Sequence, residues 1–286
     1  MSDNKFVGVI LFDDSNMGLN HTYFSEILEG FKREIEKNDM ELVFLNNDRF
    51  RDGAKTYAEQ LKDFGCVGCI ITCPGSSVEC EIDDVLNMGI PVAVIDRNYD
   101  KAICVSSNNA EGMEMLTDYV ISKGHKKIAM VLGDDNLVTS ERFNSFLRSC
   151  EKNHIKIPEE YILRGAFRNM NKAHKNAETL LKLKNPPTCI MFSDDYSSIG
   201  GINLIYARGL MIPRDISITG FDGNEILAQY EPKLTTIKQD GAKMGIIAAE
   251  KMIEAIATGK DMSGDYRVEV FLEEGRTVRE IFDVAE

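Results

Sequence analysis

Apolar segments of strand length alternate with amphipathic helical segments along this sequence, and this alternation restricts the fold more than any other feature. Residues 7–12 form a continuous apolar run, which is typical of a strand covered on both faces. The following segment places Phe24, Phe31 and Ile35 on one face of a predicted helix. Apolar strands are predicted again at 42–45, 66–72 and 92–95. Repeated strand–helix units predict a parallel sheet with helices on both faces.

A second series of the same pattern begins near residue 127. The predicted strands are 127–132, 161–163, 188–192 and 215–219, and the predicted helices are 140–153, 171–183 and 197–208. A helix at 241–258 and strands at 268–272 and 277–281 complete the chain. Two such series predict an α/β protein with two similar lobes, each a doubly wound, mainly parallel sheet.

The composition restricts the partners of the chain. The 286 residues are 43% hydrophobic and 28% charged, as in a soluble globular protein. No apolar run approaches the ~20 residues of a membrane span, so we expect no membrane contact. The first residues lack the basic and apolar pattern of a signal sequence, and we therefore expect a cytoplasmic protein. The formal net charge of −13 argues against direct binding to DNA.

The seven cysteines are scattered, and we expect reduced thiols. Cys66 and Cys69 suggest a metal site, but the spacing of this pair does not recur elsewhere. The two residues are three positions apart on a predicted strand, so we expect their side chains on opposite faces. The sequence therefore predicts no metal site, and no motif predicts a cofactor.

Acidic side chains follow several predicted strands, at the edge where open parallel sheets bind ligands. These residues are Asp13, Asp14, Asp96, Asp194, Asp195 and Asp222. Together with Arg142, early in a helix, they form a set suited to the hydroxyl groups of a sugar. Other interpretations stay open at this point. Asp195 and Asp222 can each cap a helix, and Arg142 can be a surface residue.

Two segments carry a resemblance to a known family. Residues 208–222 read Arg-Gly-Leu-Met-Ile-Pro-Arg-Asp-Ile-Ser-Ile-Thr-Gly-Phe-Asp, and residues 234–239 read Leu-Thr-Thr-Ile-Lys-Gln. This pattern resembles the effector-binding domain of the lactose/galactose repressor family of bacterial transcription regulators. Those domains look like type I periplasmic sugar-binding proteins, and the resemblance covers residues 5–281.

The resemblance implies a domain organisation that periodicity alone does not give. It implies an N-terminal lobe of residues 5–124 plus 236–262 and a C-terminal lobe of residues 125–235 plus 263–286. The chain would cross between the lobes three times, near 125, 235 and 263, with the ligand cleft between them. The implied function is sensing of a small effector, a sugar or a related metabolite, by lobe closure.

The resemblance also implies specific ligand-binding residues. Asp96 corresponds to the Asp of Ile-Asp-Arg, Arg142 to the Arg of the Arg-x-x-Gly-Phe helix, Asp222 to the Asp of Gly-Phe-Asp, and Gln239 to the Gln of Lys-Gln. Further positions matching the family's contacts, or facing the same edge, are Asp14, Tyr23, Phe24, Ser107, Phe167 and Asp194. Phe24 and Phe167 can equally be core residues, since an aromatic at helical spacing usually is.

The sequence departs from the family pattern at two of these positions. Asp194-Asp195 stands where the family has Asn-Asp, which removes a hydrogen-bond donor and adds a negative charge. Ser107-Asn108-Asn109 stands in place of a more usual Asp-Asn pair. Both departures affect the expected identity of the ligand and leave the expected fold unchanged.

Two other classes of function were weighed. An enzyme is disfavoured because there is no Gly-x-Gly-x-x-Gly after the first strand, no phosphate-binding loop and no Gly-x-Ser-x-Gly turn. Paired carboxylates could serve a glycosidase, but nothing marks one of them as a proton donor. A transport-type sugar-binding protein is the main alternative, and the lack of a signal sequence argues against it.

The family places a helix-turn-helix head before the sensing domain, whereas here the first strand begins at about Phe6. We therefore expect operator DNA to be bound only through such a head and not by these 286 residues alone. The family also forms side-by-side dimers, so the resemblance implies a homodimer.

Overall fold

The chain folds into two α/β units, and the computed structural model describes residues 5–11, 18–20, 22–46, 54–72 and 79–281. Unit 1 comprises residues 1–107 and 240–269, and unit 2 comprises residues 108–239 and 270–286. The chain therefore passes from one unit to the other after residues 107, 239 and 269. The predicted fold class, two α/β units with mainly parallel sheets, is confirmed.

Unit 1 is built on a parallel sheet with the strand order β11-β5-β4-β3-β1-β2 among the described residues. Its strands are β1 (Lys5–Leu11), β2 (Met40–Phe44), β3 (Cys66–Thr72), β4 (Val92–Ile95), β5 (Ile103–Ser107) and β11 (Gly264–Val268). Its helices are α1 (Thr22–Lys37), α2 (Tyr57–Asp63), α3 (Glu79–Leu86) and α8 (Gly241–Thr258). The central strands are apolar and buried because helices cover both faces of the sheet.

Helices α1 and α8 pack closely on one face of this sheet, and two glycines make the contact possible. A Cβ on Gly245 would overlap the Ile27 carbonyl oxygen of α1, and a Cβ on Gly30 would overlap the Ala242 carbonyl oxygen of α8. Both helices bury their apolar faces in the same core, to which Phe31 and Met252 each contribute fully buried side chains. Burial of such a side chain stabilises the fold by about 1.5–3 kcal/mol.

Strand β3 contains an irregularity that the sequence does not reveal. Its pairing with β1 shifts register between Phe6 and Val7, where Cys66 pairs with Phe6 and Gly68 pairs with Val7. An extra residue of this kind changes the face on which the following side chains lie. Cys66 and Cys69 consequently pack in the same core cluster, and the prediction that they lie on opposite faces is wrong.

Unit 2 contains a second parallel sheet with the order β7-β6-β8-β9 and an antiparallel pair, β10 with β12. Its strands are β6 (Ile128–Val131), β7 (Ile162–Leu163), β8 (Cys189–Met191), β9 (Ser217–Thr219), β10 (Thr236–Gln239) and β12 (Val270–Glu273). Its helices are α4 (Asn109–Ser122), α5 (Leu137–Lys152), α6 (Met170–Leu181) and α7 (Asp195–Ala207). The glycines of α7 permit close packing, since a Cβ on Gly200 would overlap the Met170 carbonyl oxygen at the start of α6.

The units divide the chain at different residues from those that the resemblance implied. Helix α4 packs against α5 and β12 and so belongs to unit 2. Strand β11 pairs in parallel with β5 and so belongs to unit 1. The segment 268–272, predicted as one strand, is divided between β11 and β12, because β12 pairs with β10 instead.

Residues 277–281 are not a strand, contrary to the sequence prediction. They are held by single hydrogen bonds to different partners, among them Ile218 N to the Thr277 carbonyl (3.0 Å) and Ile281 N to the Lys123 carbonyl (2.7 Å). The buried His125 also holds this segment, with Nε2 donating to the Arg279 carbonyl (3.2 Å) and Nδ1 2.8 Å from the Thr188 hydroxyl. Burial lowers the pKa of His125 to about 4.

Candidate functional site

The loop after β9 brings Asp222 next to Gln239 on β10. Asp222 N donates to the Ile237 carbonyl (2.8 Å), and Gln239 N donates to the Asp222 carbonyl (3.1 Å). The side chains also meet, because Gln239 Nε2 donates to Asp222 Oδ1 at 2.7 Å. Asp222 does not cap a helix, so the capping interpretation is wrong for this residue. Two predicted site residues that are 17 positions apart therefore form one pair.

The backbone and the charge of Asp222 are both unusual. Its φ angle is 129°, a region that side chains other than glycine rarely adopt and that is concentrated at functional sites. Burial raises the pKa of its carboxyl well above the usual value, and the neighbouring Asp194 raises it further. The positive charge of Arg142 opposes these effects. The Asp222 carboxylate therefore binds a proton at a higher pH than an ordinary aspartate does.

Arg142 is buried in unit 2 and is only 4% exposed, so the surface interpretation of this residue is wrong. Nε donates to Asn109 Oδ1 (2.8 Å), and Nη1 donates to the Ser193 carbonyl (3.1 Å). The guanidinium carbon lies 3.5 Å from the centroid of the Phe221 ring, which is a cation–π contact. These contacts fix a planar hydrogen-bond donor beside the Asp222 segment.

Phe167 is a second aromatic neighbour of Arg142, with its ring centroid 5.8 Å from the guanidinium carbon. Its ring packs against Gly133, where a Cβ would overlap it, and its N–H donates to Asp134 Oδ2 (3.0 Å). Phe167 is only partly buried, whereas Phe221 is fully buried. A partly exposed aromatic face of this kind suits the C–H face of a sugar.

Asp194 is the N-cap of α7 and accepts hydrogen bonds from Ser197 N (2.8 Å), Ser197 Oγ (2.6 Å) and Arg168 N (3.0 Å). The sequence left open whether Asp195 caps this helix, and that interpretation is wrong. The side chain of Asp195 instead accepts from Asn224 N (2.6 Å) and Thr236 Oγ1 (2.7 Å). Asp194 is 1% exposed, so its role as a ligand contact stays a prediction.

A second group of predicted residues lies in unit 1. Tyr23 Oη donates to Asp96 Oδ2 (2.9 Å) and lies 3.3 Å from Met244 Sδ. Asp96 directly follows β4 and has a left-handed φ of 59°. Ser107, the last residue of β5, is buried with Oγ 3.4 Å from Met244 Sδ. The structure thus brings Tyr23, Asp96 and Ser107 together around one methionine.

Phe24 and Asp14 stand apart from this group in different ways. Phe24 is 3% exposed and belongs to the hydrophobic core of unit 1, with its ring 5.4 Å from that of Tyr23. The core interpretation of Phe24 is therefore the one that its burial supports. Asp14 lies outside the described residues.

Two further polar residues of the unit 2 group were not among the predicted site residues. Asn109 is 1% exposed and accepts the hydrogen bond from Arg142 Nε. Arg168 has a left-handed φ of 56°, and its positive charge lowers the pKa of Asp222. Asn109 could have been identified as a candidate because it begins a predicted helix that follows a strand. Arg168 adjoins Phe167, and no pattern distinguishes it from a surface arginine.

Within the described part of the chain, no group of three or more His, Cys, Asp or Glu side chains is arranged to hold a metal ion. In the same residues, no helix combines the length and the apolar character that crossing a membrane requires.

The fold and these groups define the class of protein: an α/β protein of two parallel-sheet units with polar side chains where the strands end. A family model described as a periplasmic binding protein-like domain matches residues 117–278. The chain belongs to this family and, within it, is an effector-binding domain of the LacI/GalR family of transcription regulators.

Known proteins are similar to the chain over most of its length. A Bacillus subtilis (strain 168) protein named as a probable HTH-type transcriptional repressor, ExuR, is 29% identical over 260 residues, which are 90% of this chain and 76% of that protein. A LacI family regulator from Enterococcus faecium with bound ribose has a TM-score of 0.82 at 22% identity, covering 97% of this chain and 100% of that chain. The CelR–cellobiose complex has a TM-score of 0.82 at 17% identity, covering 96% and 85% of the two chains.

Proposed function

We propose that this chain senses a small polyhydroxylated molecule, a sugar or a related metabolite, and binds it without transforming it. The observation that carries the proposal is the arrangement in unit 2. Arg142 is immobilised on Phe221, and the next residue, Asp222, is paired with Gln239. These groups offer a planar donor, a carboxyl group and an amide that can bind adjacent hydroxyl groups. The partly exposed ring of Phe167 adds an apolar face.

The ligand class is supported by chemistry and by the relatives. Carboxylates accept hydrogen bonds from pairs of hydroxyl groups, and both units contribute one at a strand end, Asp96 and Asp222. Two similar structures are complexes with ribose and with cellobiose. We extend that class, but no individual sugar, to this chain.

The signal would arise from differential binding. A ligand that contacts both groups, one in each unit, stabilises the arrangement in which both contacts are made and shifts the population towards it. The relatives are named as HTH-type repressors, which supports transmission of this shift to a DNA-binding head. A homodimer is part of the same proposal. A transport-type sugar-binding protein is the alternative, and the repressor names of the relatives disfavour it.

Catalysis is disfavoured by the hydrogen bonds of the carboxylates. Asp222 already accepts from Gln239. Asp194 accepts four hydrogen bonds, from Ser193 Oγ, Ser197 N, Ser197 Oγ and Arg168 N. Recovery of the ligand unchanged after incubation with the protein would agree with this proposal, and turnover would contradict it.

A thermal-shift panel tests the proposal. It would contain D-ribose, D-glucose, cellobiose, D-sorbitol and adenine, which represent pentoses, hexoses, disaccharides, polyols and purines. A ligand that binds the folded state stabilises it by about 2.7 kcal/mol at 100 times its Kd, so the Tm rises. We expect at least one carbohydrate to raise the Tm. A response to adenine alone, or to none of the panel, would contradict the proposed ligand class.

Variants connect the response to the site. Asp222→Ala and Arg142→Ala should each abolish the Tm rise produced by the responding carbohydrate. Asp215→Ala and Arg148→Ala are matched controls, because both residues are exposed in unit 2 and outside the group. If the Asp222 and Arg142 variants fold and still respond fully, the assignment of the site is wrong.

A further inference from the structure

Asp195 has a fully buried carboxyl group in unit 2 and is not one of the proposed ligand contacts. It is the first residue of α7, immediately after the N-cap, and its side chain is 0% exposed. Oδ2 accepts a hydrogen bond from Asn224 N (2.6 Å), and Oδ1 accepts one from Thr236 Oγ1 (2.7 Å). Its own N–H donates to the Phe221 carbonyl (2.8 Å). Asp195 thus bonds to the chain on both sides of Asp222.

The segment 220–224 needs such support because its backbone is strained. Asp222 has a φ of 129° and Gly223 a φ of 78°. A conformation of this kind costs of order 1–3 kcal/mol and persists only when the surroundings hold it. Strand β10 supports one side through the backbone bonds of Ile237 and Gln239 to Asp222. Asp195 supports the other side, and it approaches so closely that a Cβ on Gly220 would overlap its Oδ1.

Other charged groups surround this position. Asp194 adjoins Asp195 on α7, and the Asp222 segment adds a second carboxyl group from the end of β9. Arg142 on α5 and Arg168 before α6 act on Asp222 with the opposite charge. Burial raises the pKa of Asp195 to about 7, although hydrogen bonds from Asn224 N, from Thr236 and from the backbone of Gly223 oppose this effect. Asp195 can therefore change its charge near neutral pH.

A change of charge would alter the support of the segment. A carboxylate accepts hydrogen bonds at both oxygens, and bonds to a charged acceptor are about twice as strong as neutral ones. A protonated Asp195 must donate from one oxygen. Thr236 can rotate its hydroxyl group to accept that proton, but the Asn224 N–H can only donate. The bond to Asn224 then remains, but with a neutral and weaker acceptor.

We propose that Asp195 is a positioning residue for the ligand site: its buried carboxylate holds the segment 220–224, and with it the Asp222 side chain, and it holds this segment less firmly after binding a proton. Asp195 itself does not contact the ligand. The inference deepens the proposed function, on which the consequence for ligand binding rests. The effect on the segment itself requires no ligand.

Amide hydrogen exchange of the ligand-free chain between pH 6 and 8 tests this inference. After correction for the intrinsic pH dependence of exchange, the protection of the Gly223 and Asn224 amides should decrease roughly five- to tenfold from pH 8 to pH 6. The Ile218 amide, which donates to the Thr277 carbonyl in the same unit, is the reference. Its protection should stay constant, since it does not depend on Asp195.

Asp195→Asn separates the charge from the shape. An asparagine keeps the carbonyl acceptor for Asn224 N and presents an N–H₂ donor to Thr236, as the protonated acid does. This variant should show the low protection of pH 6 at every pH. Asp215→Asn is the matched control, because Asp215 is exposed and also accepts a backbone hydrogen bond, from Met211 N (2.8 Å). It should retain the wild-type profile.

Asp222→Asn identifies which carboxyl group titrates. The pH dependence at Asn224 should persist in this variant, because Asp195 and its hydrogen bonds to Asn224 N and Thr236 Oγ1 are unchanged. If the pH dependence disappears, Asp222 and not Asp195 is responsible, and the inference is overturned.

The wild-type profile alone is decisive if a variant does not fold. Constant protection at Gly223 and Asn224 from pH 6 to pH 8 would overturn the inference. So would an Asp195→Asn variant that keeps the wild-type pH dependence. Failure of every compound in the ligand panel would instead contradict the proposed function and leave the exchange result unaffected.

Discussion

The guanidinium carbon of Arg142 lies 3.5 Å from the centroid of the Phe221 ring, and Phe221 immediately precedes Asp222. Helix α5 is thereby joined to the strained segment that presents the candidate ligand contact. The planar face of the guanidinium contacts the Phe221 ring, while Nε donates to Asn109 Oδ1 and Nη1 donates to the Ser193 carbonyl. The Arg142 side chain thus joins α5 to Asn109 on α4, to Ser193 and to Phe221.

Arg142→Lys should behave as a disruptive substitution although it preserves the charge. A lysine has no planar face for Phe221 and lacks the fixed pair of donors that reaches Asn109 and Ser193. We expect a loss of about 2 kcal/mol in the free energy of unfolding, together with loss of the ligand-induced Tm rise. Chemical denaturation measures the first effect. Arg148→Lys, at an exposed position of the same helix, should change neither quantity.

Tyr23→Phe tests whether the unit 1 group takes part in binding. The substitution removes only the hydroxyl group that donates to Asp96 (2.9 Å), so the free energy of unfolding should fall by about 1 kcal/mol or less. The Tm rise produced by the responding carbohydrate should decrease if Asp96 contacts the ligand. Tyr266→Phe removes a similar hydroxyl bond in unit 1, to the Met262 carbonyl, and should leave that response intact. Equal responses of the two variants would exclude Tyr23 from the site.

His125 should make the stability of the fold depend on pH between about 4 and 6.5. Its pKa is about 4 in the folded chain, below its ordinary value of 6.5, so the unfolded chain binds more protons in this interval. Stability from this group is complete above pH 6.5 and is lost as the pH falls towards 4, by roughly 3 kcal/mol. Urea unfolding of wild type and His125→Gln across this interval measures the difference.

The control for this pH dependence is His154→Asn, at an exposed position with a left-handed backbone that asparagine tolerates. Other titrating groups contribute equally to wild type and to both variants. The stability difference between wild type and His125→Gln should therefore shrink as the pH falls, while His154→Asn should parallel wild type. A constant difference for His125→Gln would show that the histidine does not titrate as expected.

Gly245→Ala should destabilise unit 1 by about 1–3 kcal/mol, because the added methyl group would overlap the Ile27 carbonyl oxygen and the two helices would have to separate. Alanine has the higher helix propensity, so any destabilisation must come from packing and not from the helix itself. Thermal or chemical unfolding measures the loss. Glu250→Ala, on the exposed side of the same helix, should stay within about 0.5 kcal/mol of wild type.

Much of this architecture could be predicted from hydrophobic periodicity, because buried strands and amphipathic helices have distinct repeats. The strand-end positions of Asp96 and Asp222 followed from the same pattern. The pairing of Asp222 with Gln239 did not, since it depends on β10 lying beside the loop that follows β9. Likewise, the apolar run 268–272 contains no sign that Val268 pairs in one unit and Val270 in the other.

Differences of one residue had the largest consequences for the site. The start of α7 decides whether Asp194 or Asp195 is the cap, and sequence patterns do not locate helix ends to one residue. The register shift in β3 reverses the face of Cys69 relative to Cys66 in the same way. Asp96 and Asp222 have positive φ angles that arise from tertiary contacts. Neither residue is a glycine, so the sequence does not indicate these backbone conformations.

Helix α8 covers α1 and strand β11 completes the edge beside β5, although both come from residues beyond 240. During synthesis on the ribosome, the first 107 residues therefore emerge long before the segments that finish their core. The nascent unit must wait, with the α1 surface around Phe31 uncovered, until α8 and β11 have been translated. Unit 2 can assemble most of its own sheet in the meantime, so the later part of the chain is expected to reach a stable structure first.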